Sequence, residues 1–428
     1  METIRMINKA VGILFILCYS YQVLYMIVSL LNGTDKNAEE SKSGKKNRYA
    51  VLICARNEEK VIGDLLDSIK AQTYPKRLIS SYVMADNCTD LTAEVARMHG
   101  AEVYERHDSE KIGKGFALDM LLNRIKEDKP EGYDGYFVFD ADNILAADYI
   151  EMMDRTFSQG YDIVTGYRNS KNYSSNWISA GNALCFMREN RFLNLPRYLL
   201  GTSCSVTGTG FLFSRTVEEE MDGWPYHLLT EDLEFTADQI SRGRKIAFCK
   251  EAEFYDEQPV SFRQSWDQRI RWAKGYIQVF FRYISGLTEG MVKRLDFSCL
   301  DCIMNIPVFI LSAVSFGCSA AAAMLKLRQG ATFISAFSAS LRSLAVSYLV
   351  MFMLGVLTTL SEWNKIHASA KEKIAYMFTF PLFMFTYIPV TAASLFTKVT
   401  WKPIEHTFSA RKLAELGLSK NVRSTTHE

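Results

Sequence analysis

The sequence predicts an α/β domain with a doubly wound, mostly parallel sheet, flanked by transmembrane helices. Three observations carry that expectation. Apolar runs of strand length alternate with helical patterns through the middle of the chain, the signature of βαβ units. Long, nearly uncharged stretches lie on either side of that region. Polar and acidic residues cluster just after the apolar runs, where open parallel sheets place their ligands.

Taken in order, residues 1–31 form an N-terminal anchor, because residues 10–31 are almost uncharged and about 20 apolar residues cross a bilayer. Arg5 and Lys9 before the run also fit a cleaved signal peptide, but the run exceeds a signal core and lacks a small-x-small cleavage site. Residues 32–48 are a basic linker containing Lys36, Lys42, Lys45, Lys46 and Arg48, which places the following domain in the cytoplasm. Residues 49–283 are the α/β domain. Its strands are expected at 49–54, 79–85, 136–140 and 162–166, and its helices at 59–71, 91–100 and 116–126. Residues 284–301 mix basic and apolar side chains and read as an interfacial segment. Residues 302–397 hold two to three spans, at 302–325, 343–360 and 374–397, the last interrupted by Pro381 and Pro389. A full third crossing would put the tail, residues 398–428, outside, whereas its Lys398, Lys402, Arg411, Lys412, Lys420 and Arg423 argue for the inside. A broken or re-entrant third segment reconciles the two.

Composition narrows the function. Over 428 residues, Lys+Arg number 49 against 48 Asp+Glu, a net charge of +1 that gives no support for nucleic-acid binding. The mean hydropathy of −0.04 conceals the uneven distribution of apolar residues. Nine scattered cysteines point to reduced thiols facing a cytosol rather than a disulfide framework. Cys299 and Cys302 form a lone C-x-x-C without a second pair or a histidine cluster, so zinc is not expected there.

Three strand ends are chemically loaded. The first gives Ala55-Arg56-Asn57-Glu58, suited to a nucleotide or to a solvated helix start. The second gives Asp86, able to accept hydrogen bonds from a base or ribose, followed by Asp90, which reads as a helix cap. The third ends in Asp140-Ala141-Asp142, two carboxylates able to reach a hard divalent cation and the phosphate oxygens it bridges. Lys111-Ile112-Gly113-Lys114-Gly115 offers backbone approach and charge to a phosphate, without the spacing of a P-loop. Thr207-Gly208-Thr209-Gly210 is a turn that lets backbone pass close to a sugar. Thr230-Glu231-Asp232 offers a carboxylate that takes a proton from a hydroxyl, and it also reads as a helix start with Thr230 as cap. Gln268-Arg269-Ile270-Arg271-Trp272 supplies amide, guanidinium and indole groups fitted to a diphosphate and a sugar face, with Arg269 read as solvated.

This ordered set, from Ala55 to Trp272, resembles the membrane-bound family 2 glycosyltransferases, which include the cellulose, hyaluronan and poly-N-acetylglucosamine synthases. The resemblance implies a GT-A fold and inversion at the anomeric carbon. It implies donor binding by Ala55, Glu58, Asp86, Lys114, Asp140, Asp142, Gln268 and Arg271, with Asp86 on uracil and Lys114 on the base or diphosphate. Asp140 and Asp142 would hold Mg²⁺ or Mn²⁺, with Asp142 nearer the metal. Asp232 is similar to the family's general base, and Trp272, Glu231 and Gly208 fall at acceptor-binding positions. The segment Trp401-Lys402-Pro403-Ile404-Glu405-His406 resembles a C-terminal tryptophan segment of several members.

Two departures matter. One span before the domain and two to three after it are fewer than the polymer-exporting synthases carry, so export would need a second copy or a partner. Ser205–Gly210 replaces the Phe-Phe-Cys-Gly acceptor segment of cellulose synthases. The expected function is transfer of a hexose or N-acetylhexosamine from a UDP-sugar to a growing β-linked extracellular polysaccharide, at the plasma membrane of a bacterium. The alternative in the same class is addition of one sugar to a lipid-linked acceptor. The alternative in another class is a catalytically inactive nucleotide-sugar-binding component of the membrane.

Overall fold

The computed structural model describes residues 2–32, 46–305, 307–399 and 406. Lys36, Lys42 and Lys45 of the expected linker, and Trp401, Lys402, Arg411, Lys412, Lys420 and Arg423 of the tail, lie outside the described residues.

Eight strands form one sheet: β1 (Tyr49–Ala55), β2 (Ile79–Asp86), β3 (Glu102–Arg106), β4 (Gly135–Asp140), β5 (Ile144–Leu145), β6 (Ile163–Ser170), β7 (Phe211–Ser214) and β8 (Ile246–Asp256). Their order is β3-β2-β1-β4-β7-β6-β8-β5. Helices cover both faces, which is why β1 reads as one apolar run: Val51 and Ile53 feed one core layer, Ala50 and Leu52 the other. β1 pairs in parallel with both β2 and β4, setting Ala55 opposite Ala85 and Cys54 opposite Asp140. The carboxyl ends of three neighbouring strands therefore share one rim, and the residues just beyond them face a common space.

The sheet is mixed, mostly parallel. β7 runs antiparallel to β4 and β6, and β5 antiparallel to β8. Ahead of β7, Gly208 and Gly210 take φ of 84° and 65°, open to glycine without strain. Helices follow close to the expected places, at Ile62–Lys70, Thr92–Met98 and Lys114–Asp128.

Three helices among the described residues are long and apolar enough to cross a membrane: Met6–Leu31, Phe333–Ser361 and Ala370–Phe396. The segment expected as a span at 302–325 is divided. Cys302 belongs to a short helix, Phe297–Asn305, and a separate helix follows at Pro307–Arg328. One helix of 33 residues, Phe262–Arg294, runs straight through the expected domain boundary at Tyr283. The last apolar segment breaks at Thr386, between helices Ala370–Phe385 and Tyr387–Phe396. Pro389 explains the position, since it has no N–H to give the carbonyl four residues back. Pro381 stays inside its helix.

The apolar helices are tied to the α/β domain by buried contacts. Phe383 packs on Gly181 so closely that a Cβ there would sit 2.4 Å from its ring. Arg197 donates to both oxygens of Asp301 at 2.7 and 3.1 Å, and Tyr21 and Tyr25 of the N-terminal helices donate to the same carboxylate at 2.6 and 2.9 Å. Arg269, expected in solvent, is fully buried. Its guanidinium lies over the rings of Phe383 and Tyr387 and donates to the Thr386 hydroxyl, which fills the break in the last segment.

Candidate active site

At the rim, Asp86 ends β2 and is buried, and Arg106 of β3 donates to it at 2.5 Å. Lys114 opens its helix after Gly113, whose φ of 142° leaves the α region, and its ammonium donates to Asp140 and to the Gly208 carbonyl. Burial works against the Lys114 charge, yet the Asp140 and Glu231 carboxylates hold its pKa above the ordinary value. Gly115 lets this helix approach: a Cβ there would lie 2.0 Å from the Tyr226 carbonyl oxygen. Asp142 is buried, and one oxygen accepts from the Glu257 amide at 2.9 Å. Glu58, just beyond Ala55, meets the His406 imidazole at 3.0 Å, and burial raises its carboxyl. Burial opposes the His406 charge as well, but Asp142 and Glu58 hold its pKa up to about 10. His406 thus lies beside the α/β domain.

Glu231 and Asp232 open the helix Glu231–Ser241. Thr230 occupies the cap position, but its hydroxyl makes no capping bond and has no partner, contrary to the sequence expectation. Gly275 of the long helix takes the packing instead, since a Cβ there would meet the Thr230 oxygen at 2.4 Å. Burial first, then the Asp232 charge, pushes the Glu231 carboxyl up to about 7, and burial likewise raises Asp232. Gly208 is next to that carboxylate: a Cβ on it would stand 3.5 Å from Asp232 Oδ2. Gln268, Arg271 and Trp272 share one face of the long helix through their three- and four-residue spacing. Trp272 meets Phe186 edge-on at 6.0 Å between ring centroids.

All twelve residues singled out in the sequence line one cavity of about 920 Å³. Sequence reasoning missed others on its walls. Asp256 accepts from Arg168 Nε at 3.0 Å and from Asn143 at 2.9 Å, and Asn143 accepts from Thr209, so a buried network braces the Asp140–Asp142 loop. Arg168 also donates to the Thr207 carbonyl at 2.6 Å and lies over the Phe186 ring. Glu189 and Arg188 complete the far wall. These partners sit far apart in sequence and carry no local motif; only the Trp401–His406 resemblance pointed towards His406.

Asp140 and Asp142 fit a hard divalent cation. Among the described residues no group of three His, Cys, Asp or Glu side chains is placed to hold a metal alone. Mg²⁺-like ions are held by one or two carboxylates together with substrate phosphates, and two carboxylates facing a cavity with Lys114 and Arg271 are such a donor set.

Residues 47–275 match the model of the glycosyltransferase-like family 2. The chain is 24% identical over 270 residues to the probable glycosyltransferase YdaM of Bacillus subtilis, covering 58% of this chain and 60% of that protein. It is 25% identical over 272 residues to a poly-β-1,6-N-acetyl-D-glucosamine synthase of Staphylococcus aureus, covering 62% of each. It is 24% identical over 258 residues to the β-monoglucosyldiacylglycerol synthase of a Synechocystis species, covering 58% of this chain and 52% of that one. The chain thus spans 52% to 62% of the length of these curated relatives. In fold it is similar to a mannosyltransferase from Pyrobaculum calidifontis solved with GDP-Man and Mn²⁺, with a TM-score of 0.58 and 16% identity over 91% of this chain and 99% of that one. The sheet is of the GT-A type, and the chain belongs to the glycosyltransferase-like family 2.

Proposed function

We propose that this protein transfers a hexose or N-acetylhexosamine from a UDP-sugar, with inversion, to an acceptor carried at the cytoplasmic face of a bacterial plasma membrane. The observation that carries the reading is the single cavity: donor-side Asp86, Lys114, Asp140 and Asp142 line one end, and the apolar faces of Met6–Leu31 and Phe333–Ser361 line the other. Asp232 lines the same cavity. In this reading Asp86 receives the base, and Lys114, Gln268 and Arg271 receive the diphosphate. Asp140 and Asp142 would hold a divalent cation, which would supply positive charge to the leaving diphosphate. The acceptor hydroxyl gives its proton to Asp232 as its oxygen bonds to the anomeric carbon; the bond from that carbon to the diphosphate oxygen breaks, and UDP leaves with the electron pair. A single displacement inverts the centre. Glu231 stays beside Asp232 as a second acid that keeps the pair's charge low.

An apolar mouth favours an acceptor borne by a lipid, in keeping with the name of the Synechocystis relative, a β-monoglucosyldiacylglycerol synthase. Growth of a β-linked glycan is the second reading, favoured by the Trp272 ring on the cavity wall and by the Staphylococcus relative. Incubating the purified protein in nanodiscs with a panel of UDP-sugars and Mg²⁺ or Mn²⁺ tests the proposal. Release of UDP from one donor is expected. UDP-sugar binding without release under every condition would overturn it in favour of an inactive nucleotide-sugar-binding component.

A further inference from the structure

Two arginines on the membrane side of the cavity differ in their partners. Arg197 is neutralised by the two-point contact to Asp301, and its pKa stands above the ordinary value, burial being outweighed by that carboxylate. Arg188, at the end of the helix Trp177–Glu189, has no carboxylate within ion-pair distance among the described residues. Its Nη2 donates to Gln22 at 3.3 Å, and its Nε is buried without any partner. Burial draws its pKa below the ordinary value. Cys185 and Glu189 act against that lowering without reversing it. The hydroxyl of Tyr19, at the end of Glu2–Tyr19, is also buried without a partner, and Tyr19, Gln22 and Arg188 line the same cavity.

Unpaired donors of this kind are costly unless a ligand completes them. An anion with several acceptor oxygens does so, and a guanidinium matches phosphate geometry. The walls beyond them are apolar and open: Phe15 and Val23 on one side, Leu349, Val350 and Met353 on the other, line the cavity and are 37% to 59% exposed. These residues belong to helices long and apolar enough to cross a membrane, so an opening between them suits hydrocarbon better than water. A water-soluble glycan gains nothing from such a mouth, whereas a lipid places its headgroup on the donors and its chains between the helices.

We propose that Arg188 and Tyr19 bind the phosphate of an anionic membrane lipid whose chains leave the cavity between the Met6–Leu31 and Phe333–Ser361 helices, presenting a headgroup hydroxyl towards Asp232. This rests on the membrane-borne acceptor reading and names its chemical class. The test is native mass spectrometry of the full chain in detergent, titrated with dioleoylphosphatidylglycerol or with dioleoylglycerol, which has the same chains and no phosphate. The phospholipid should bind about tenfold more tightly, the size of one charge-assisted hydrogen bond. Arg188→Gln should remove that preference, and Arg188→Lys should keep part of it. Equal retention of both lipids by the unaltered protein, or an undiminished preference in Arg188→Gln, would overturn the proposal. So would displacement of the lipid by inorganic phosphate, which would mark a free-anion site. UDP binding, measured in parallel, reports the donor end: its loss in the unaltered protein would sink the donor reading while the lipid result stood. Where Arg188→Gln loses UDP binding through misfolding, the lipid preference of the unaltered protein and of Arg188→Lys decides.

Discussion

The two ends of the cavity handle charge in opposite ways. At the donor end four ion pairs within the protein stand on the wall: Asp86 has Arg106, Lys114 has Asp140, Asp256 has Arg168 and Glu58 has His406. At the membrane end Arg188 and Tyr19 keep buried donors without partners, and the surroundings are apolar. A nucleoside diphosphate with its cation is a nearly balanced unit, so a site that balances itself can exchange Lys114–Asp140 for ligand contacts at little cost. A site that leaves one guanidinium unmatched asks its ligand to bring the charge.

The largest way to break that comparison is at its midpoint. Asp232→Asn should lower turnover about a thousandfold, because proton removal from the hydroxyl is lost, while UDP binding stays within about twofold. Asp142→Asn comes next, with turnover down about a hundredfold and weakened Mn²⁺ dependence of UDP binding read by calorimetry. Unchanged cation dependence would move the metal away from this loop.

A smaller effect is set by pH. Asp232 must be ionised to act, and Glu231 beside it is pushed up to about 7, so the pair retains a proton below neutrality. That proton rests on Glu231, so the rate should rise with pH, about tenfold per unit, along an acid limb set by Asp232, whose carboxyl burial raises above its usual range, in a kcat/KM profile. Glu231→Gln should leave that limb near its place, because Glu231 is already protonated while Asp232 loses its proton. Smallest of all, Trp272→Phe should raise the acceptor KM only a few-fold, as expected for partial loss of one stacking face. A collapse of product length with little change in initial rate would instead favour the glycan reading.

Much of the donor end was legible because of strand physics. Strands buried on both faces read as apolar runs, and their register brings Asp86 and Asp140 to one rim. The Gln268, Arg271 and Trp272 face followed from helical spacing. β8 was missed because Lys250, Glu251 and Glu253 interrupt its apolar pattern where its pairing with β6 shifts at Gly166 and Tyr167. Arg269 reads as a solvated charge locally, yet it is buried by rings and a hydroxyl supplied 117 positions later. Arg188 was silent for the same reason. What marks it is a missing partner, and a missing partner is visible only when the whole cavity is assembled.

The most direct test of the central claim, that one cavity joins a sugar-donor site to a membrane-borne acceptor, is to follow where the sugar goes. The protein in nanodiscs would receive the radiolabelled UDP-sugar that supports UDP release, and the products would be partitioned between organic solvent and water. The account predicts label in the organic phase as a lipid carrying one sugar, lost in Asp232→Asn. Label confined to a water-soluble polymer, with none attached to lipid, would contradict it.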